Sequence, residues 1–432
     1  MIKRLFLVFV VALVAIAAIG AAQKVTMQFW LYGGSGANGQ RNHDFVDKWN
    51  AANPNIQVVI TDQVWDTIFE HFQTAAMSGA LPDAARIHAP FINAFGAKGG
   101  YLEPLDNFAD FKQVKALYVN GLIDACAFGG KYWGLPSTPI LFAMLTNPAV
   151  FQKAGVAKPN DRTWKWPEWK ATIKRLTKDL NGDGTPDQYG YGIMGGELGG
   201  HAYRISPLTF LAGGVMSDDK MTKSMLNTAP WIEVVQMLAD MNLKDKSLEP
   251  GYLTDNYTET SAKFATDRIA MSIEGPWYPG MIRGIAKDEN KNIWTLDMPK
   301  PDKITGPGVP GTLADGSAVV IAKSSKYKKE AWEFIKFMTG AEFDAGYTDA
   351  AGGGLPCVKV TYNLPAWKTF EGYDAYGSLA PNCRPWPYHP ALVEITRDVI
   401  AQVTLRAIKG DMSVKDAMAD IDKKVNEILA RK

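Results

Sequence analysis

Between Val25 and His88 short β-branched or aromatic runs take turns with amphipathic runs, and this order limits the fold more than any other feature of the chain. Val25 to Tyr32 (VTMQFWLY) alternates and reads as a strand. His43 to Ala52 reads as a helix stopped by Asn53-Pro54-Asn55, and Ile56 to Ile60 as a second strand. Trp65 to Met77 is an amphipathic helix ending at Ser78-Gly79. After Pro82-Asp83, Ala84 to His88 is a third, short strand. A strand-helix-strand-helix-strand order predicts an α/β lobe with a mainly parallel sheet.

Further along, Pro167 to Leu180 carries Trp169, Ile173 and Leu176 at helical spacing, with proline suited to the first turn. Arg268 to Ile273 reads as a strand running into Glu274-Gly275-Pro276-Trp277, and Trp294 to Met298 and Ser317 to Ala322 as further strands. Ser325 caps a helix over Lys326 to Thr339 that Gly340 ends. Ser413 and Asp416 form a capping-box pattern, after which Val414, Met418, Ile421, Val425 and Ile428 line one helix face. This helix-rich tail is expected to pack on a second lobe.

The N-terminus reads as a secretory leader. Lys3 and Arg4 precede an apolar run from Leu5 to Ile19, and Gly20 and Ala22 hold the −3 and −1 positions of a cut before Gln23. The run is short for a membrane span, and no cysteine near the cut offers a lipid anchor. A soluble periplasmic or secreted protein is expected. About 410 of the 432 residues remain after the cut, enough for two lobes. The net charge of +1 excludes an electrostatic partner such as nucleic acid or an anionic membrane surface. The 13 Trp and 16 Tyr are either core or platforms for an external solute, since apolar faces of sugar rings stack on aromatic side chains.

Catalytic templates are absent: there is no metalloprotease helix motif, nucleophile elbow, Walker loop or dinucleotide fingerprint. Gly33-Gly34-Ser35-Gly36 lacks the lysine and spacing that cradle a phosphate. Export permits a disulfide, and of Cys126, Cys357 and Cys383 at most one pair can form: Cys357 and Cys383, both in Gly/Pro-rich sequence, are the candidate pair, joined or free. Asp179, Asn181, Asp183, Thr185 and Asp187 stand at the ligand spacing of a calcium loop, with Gly184 at its sharp turn. Position 12, where a bidentate Glu would stand, is Gly190. Two readings stay open, a structural Ca²⁺ or a metal-free Asx-rich turn whose carboxylates cap backbone N–H groups. No cofactor is required.

The strand-Trp30-loop start is followed in order by Gly79-Ala-Leu-Pro82-Asp83, Gly100 to Asp106, Gly130 to Pro136, Asn147 to Gly155, Trp164 to Trp169, the Asp/Gly loop ending in Tyr189-Gly190, Ala270 to Trp277, Ala322 to Lys326 and Gly354-Leu-Pro356. Taken together, these segments resemble the family 1 extracellular solute-binding proteins of ABC sugar importers. Leu145-Thr146-Asn147-Pro148 departs from the family pattern without threatening the assignment.

The resemblance implies an α/β, two-lobe periplasmic-binding-protein fold of type II, each lobe a mainly parallel sheet flanked by helices, with the ligand cleft between them. It implies an N-terminal lobe over 23–138 and 299–322 and a C-terminal lobe over 139–298 and 323–432. Crossovers would fall near Thr138–Phe142, Thr295–Pro299 and Ala322–Ser325. Trp277 matches a position whose ring stacks on sugar, with Tyr278 beside it. Trp65, His88, Tyr32 and Asp44 stand where first-lobe loops meet the cleft. His201 and Tyr203 fall where maltose-binding members place a carboxylate and a stacking Tyr, so sugar specificity should differ. Arg384 and Trp386 are late-loop candidates, and Gly352-Gly353-Gly354 lets backbone approach a ligand or forms a flexible turn.

The implied function is a monomeric, non-catalytic receptor that captures a mono- or oligosaccharide by lobe closure and delivers it to the permease subunits of an ABC importer. The alternatives are the same receptor for a polyol, a glycerophosphodiester or an acidic sugar, with Arg384 and Arg204 on the anion, and a secreted glycoside hydrolase whose carboxylate pair is spatial rather than sequential.

Overall fold

The computed structural model describes residues 24–32, 36–218, 220–308, 310–349, 354–365, 372–387, 389 and 391–431. The expected leader over 1–22, the glycine-rich residues 33–35 and Gly352-Gly353 lie outside the described residues. No helix among the described residues is long and apolar enough to cross a membrane.

Strand β1 (Val25–Tyr32) runs parallel between β2 (Ile56–Gln63) and β3 (Ala84–His88). Met27, Phe29 and Leu31 are buried on one face of β1, the alternation a pleated strand imposes. Helix α1 (Gly36–Ala52) follows β1 and begins earlier than its residue propensities suggest, since Gly and Asn are poor helix formers. Between β2 and β3 the expected single helix is divided: Trp65–Thr67 forms a short 3₁₀ turn, and helix α2 (Ile68–Ser78) then runs to Gly79, whose φ of 73° provides the left-handed cap.

Strand β4 (Leu135–Leu141) leads across Phe142 into β5 (Ala143–Thr146) of the second lobe, placing the first crossover where expected. β5 is the middle of a three-stranded sheet, flanked by β6 (Met271–Glu274) and β7 (Trp294–Leu296). Both neighbours are antiparallel, which corrects the expectation of a mainly parallel second sheet. Parallel pairing in that lobe occurs at the isolated bridges Lys165–Lys300, Tyr189–Ile269 and Tyr191–Leu248. Strand direction depends on where a connection returns, and that is not written in local periodicity.

The long strand β8 (Leu313–Ile321) returns to the first sheet, antiparallel both to β3 and to β4, with the short β9 (Arg384–Pro385) parallel at its start. The chain therefore recrosses near Thr312 rather than near Pro299. Residues before it still lie on the second lobe, where Lys300 N donates to the Trp164 carbonyl and Gly306 N to that of Ala212. The expected third crossover at Ala322–Ser325 is also displaced. The helix after β8, α3 (Lys328–Met338), buries Ala331, Phe334, Ile335 and Met338 in one cluster with Phe29, Trp49 and Leu135, and Val358 joins them. Its apolar stripe must be covered, and the face of the first sheet covers it. From Tyr376 onward the chain packs on the second lobe, as expected of the tail. There α4 (Val414–Leu429) is capped by Ser413 and buries Val414, Met418, Ile421, Val425 and Ile428.

The three cysteines are free, so the candidate pair Cys357 and Cys383 is not joined. Cys357 is buried in the first-lobe cluster, its thiol 3.2 Å from Asp344 and 3.4 Å from the Pro136 carbonyl. Cys383 instead packs against the second-lobe core.

Candidate functional site

The parallel strands β1 and β3 end on one edge of the first sheet, at Tyr32 and His88, and Trp65 follows the end of β2 beside them. Loops beyond the carboxyl ends of parallel strands are where open α/β sheets hold ligands. The Tyr32 and Trp65 rings meet edge-on at 5.1 Å, and Trp65 meets His88 at 5.0 Å. The chain of rings continues into the second lobe through Tyr203, on the helix Leu198–Leu211, whose ring lies 5.5 Å from His88. Tyr203 in turn stacks on Phe142 at 5.9 Å and meets Trp386 at 5.4 Å, and Phe142 meets Trp277 edge-on at 6.1 Å. Six of the ten residues expected at a ligand site, Tyr32, Trp65, His88, Tyr203, Trp277 and Trp386, thus line one continuous aromatic seam between the lobes.

Polar groups interleave the rings. The His88 Nε2 lies 2.8 Å from Asp315 Oδ2, with both side chains buried, and the Tyr203 hydroxyl lies 3.2 Å from His88 Nδ1. Burial pushes the Tyr203 hydroxyl pKa far up, and the nearby Asp315 carboxylate pushes it further, so the phenol stays protonated and able to donate. The Ser317 hydroxyl shares a hydrogen bond with the Tyr32 hydroxyl and accepts that of Thr138 at 3.0 Å. Thr138 holds a φ of 49°, rare for a β-branched residue, at the first crossover. Across the rim, Trp65 Nε1 donates to Glu197 at 2.8 Å and Arg397 pairs with Glu70 at 2.6 Å, so the two lobes touch around the seam.

Trp277 owes its position to its neighbours. A Cβ on Gly275 would collide with the Trp277 indole, so only glycine lets the ring fold back over its own strand end. The indole is half-buried, and its Nε1 donates to the Tyr257 hydroxyl. Behind these rings the Arg204 guanidinium forks onto Glu274, both buried.

Four expected ligand residues stand apart from the seam. Tyr278 is fully buried against Phe264 at 5.1 Å. His201 is fully buried, with Nδ1 3.1 Å from the Met194 carbonyl and Nε2 3.0 Å from Thr404 Oγ1, so neither nitrogen is left for a solute. Burial pulls the His201 pKa down to about 4, against the Met194 hydrogen bond, and the ring is neutral. Asp44 is exposed on α1 and accepts from Gln40 one turn earlier at 2.9 Å. Arg384 packs over Gly308 and reaches the Gly214 carbonyl at 3.5 Å, with burial lowering its pKa. Phe142, Asp315, Ser317 and Glu197 were not foreseen. The polar Asp315-Gly-Ser317 inside an otherwise apolar strand was the readable signal, and a bulge stands there.

The Asp/Gly loop is built as an Asx-rich turn. Asp179 accepts from Gly182 N at 2.7 Å and Gly184 N at 2.8 Å, Asp183 from Thr185 N at 2.8 Å, and Asp187 from Leu180 N at 2.8 Å. These amide bonds, Gly184 first, hold the Asp179 carboxyl below the usual range. Asn181 also turns its oxygen onto the Asp183 amide. Gly190 has the Ile173 carbonyl where a Cβ would go, so no carboxylate could be carried there. Among the described residues no three His, Cys, Asp or Glu side chains gather as a metal site.

A family model described as bacterial extracellular solute-binding protein matches residues 36–345. The chain is 24% identical over 415 residues to a binding protein of Brucella abortus (strain 2308), covering 95% of each. It is 24% identical over 332 residues to the arabinooligosaccharide-binding protein of Bacillus subtilis (strain 168), covering 75% of this chain and 71% of that one. An ABC transporter solute-binding protein from Thermotoga lettingae TMO, crystallised with alpha-D-tagatose, superposes with a TM-score of 0.82 at 22% identity, covering 94% of this chain and 100% of that one.

Proposed function

The chain belongs to the bacterial extracellular solute-binding protein family, and on that premise we propose that it is a non-catalytic carbohydrate receptor serving an ABC importer. The observation that carries this reading is the aromatic seam, in which Trp65 and Trp277 keep part of their indoles open on opposite lobes. A sugar ring has C–H faces that suit indole and hydroxyl edges that suit the polar atoms between the rings. The Bacillus and Thermotoga relatives, one named for an arabinooligosaccharide and the other crystallised with a ketose, agree with a carbohydrate cargo.

Closure is the working step. A solute touching both lobes adds its contacts to those the closed form already makes, Trp65 with Glu197, Arg397 with Glu70 and Tyr203 with His88. It shifts the population toward that form by its differential affinity for it. Membrane permease subunits then read the closed form and receive the cargo, while the chain acts outside the cytoplasm as a monomer.

The test is isothermal calorimetry of the chain without residues 1–22 against neutral mono- and oligosaccharides. Saturable binding to one sugar class, reduced at least about tenfold in Trp277→Ala by loss of the stacked ring, supports the reading. Absence of binding to every sugar, with binding to another solute class, overturns it.

A further inference from the structure

We propose that the buried Arg204–Glu274 ion pair is a positioning element for the candidate sugar platform of the second lobe, Trp277, acting through the Phe142 and Tyr257 rings packed against it. The inference rests on the reading of Trp277 as a ligand platform.

The pair is closed on itself. Arg204 Nη2 donates to Glu274 Oε2 at 2.5 Å and Nε to Oε1 at 3.3 Å, a two-pronged fork. Ser272 donates to the same Oε1 at 3.2 Å, and Arg204 Nη1 donates to the Gly200 carbonyl at 3.2 Å. Glu274 is 0% and Arg204 5% exposed. Burial pushes the guanidinium pKa down, and the Glu274 carboxylate more than offsets it; burial raises the Glu274 carboxyl, against the pull of the Arg204 charge.

Its surroundings are the rings that hold Trp277. The guanidinium carbon lies 5.7 Å from the Phe142 centroid and 5.3 Å from that of Tyr257. Tyr257 in turn takes the Trp277 Nε1 hydrogen bond, and Phe142 meets Trp277 and Tyr203. Glu274 closes β6 immediately before Gly275-Pro276-Trp277, so the acid that orients the guanidinium is joined by backbone to the ring it helps to place. An interior ion pair is a weak stabiliser, because desolvation cancels most of its attraction, and apolar substitutes of similar volume are often neutral or better. What the pair supplies here is direction: a planar cation with defined prongs holds two rings at set distances, which Met or Leu side chains would leave free to shift.

Two variants test the assignment in the mature chain. Arg204→Met with Glu274→Met removes both charges, and Tyr257→Phe removes only the hydroxyl that receives Trp277. Melting temperature and sugar affinity are measured for each, together with acrylamide quenching of the emission that Trp277→Phe eliminates. The double variant is expected to keep or raise its melting temperature while sugar affinity falls about tenfold, and Tyr257→Phe to lose about threefold at unchanged stability. Quenching of Trp277 rises in both. Affinity within about twofold of the parent in both variants, or a loss only in step with the melting temperature, overturns the proposal. Where the double variant does not fold, Arg204→Lys decides, since it keeps the charge and loses the fork: unchanged affinity and unchanged Trp277 quenching overturn the proposal. A parent that binds no sugar sinks the receptor reading instead, and the quenching then judges the ion pair: unchanged accessibility of Trp277 overturns its positioning role.

Discussion

The indole of Trp65 on the first lobe donates to the Glu197 carboxylate on the second at 2.8 Å. Trp65 is 37% exposed, so this bond sits at the mouth of the seam rather than in its floor. It ties a residue that is itself a candidate sugar platform to the opposite lobe. Closure and ligand contact therefore share a side chain, and a change in one should be felt in the other.

Trp65→Phe keeps a ring and deletes the donor. A hydrogen bond to a charged acceptor contributes about 1.5–3 kcal/mol, less where water competes, so the closed form should weaken by about 1 kcal/mol. Stopped-flow fluorescence should show sugar leaving about fivefold faster, with the association rate nearly unchanged. Unchanged dissociation would separate Trp65 from closure.

The second rim contact should matter less. The Glu70–Arg397 side chains are 50% and 32% exposed, which puts the pair among solvent-screened ion pairs. Glu70→Ala should reduce sugar affinity by less than about threefold at low salt, and the deficit should vanish as salt is raised. A large, salt-independent loss in calorimetry would mean that the carboxylate touches the cargo.

Gly275→Ala introduces a methyl into the space the Trp277 ring occupies. The indole must swing away, so affinity should drop about tenfold while the fold survives, because the ring is at the lobe surface and its displacement leaves the core filled. Near-ultraviolet circular dichroism should report a changed Trp environment with an unchanged far-ultraviolet spectrum. Full affinity in this variant would place the sugar elsewhere.

His201 makes stability depend on acid. Its folded pKa of about 4 lies below the ordinary 6.5, so below pH 6.5 the unfolded chain binds the extra proton. The His201 contribution is complete above that value and is lost as pH falls toward 4, with a slope approaching about 1.4 kcal/mol per pH unit. Urea unfolding at pH 7, 5.5 and 4.5 should show the decline, and His201→Gln should flatten it. Equal slopes in the two proteins would mean that the imidazole is already charged in the fold.

How far the site was legible depends on distance along the chain. Tyr32 and His88 stand at the ends of two strands whose alternation or apolar run is local, and Trp277 follows a strand and a Gly-Pro turn that resemble the family pattern, so all three were candidates before their place on the seam was known. Asp315, Ser317, Phe142 and Glu197 could not be placed from sequence. Their role comes from a bulge, a crossover and a facing lobe, each a relation between segments far apart. His201 shows the converse, since it sits two residues from Tyr203 on the same helix yet turns inward to Thr404. A helix carries its residues around its axis by 100° each, so neighbours in sequence face different partners.

The sequence alone determined the order of strands and helices over Val25–His88, the alternation that buries Phe29 and Leu31, and the five-residue apolar face of the C-terminal helix. These follow from backbone geometry and short-range side-chain preference. Tertiary structure decided that the second sheet is antiparallel around Ala143–Thr146, that Lys328–Met338 docks on the first lobe, and that Cys357 and Cys383 belong to different cores. Each of these is a choice among apolar faces that one segment could equally well cover, and it is made by whichever long-range packing buries the most surface at the least cost in chain closure.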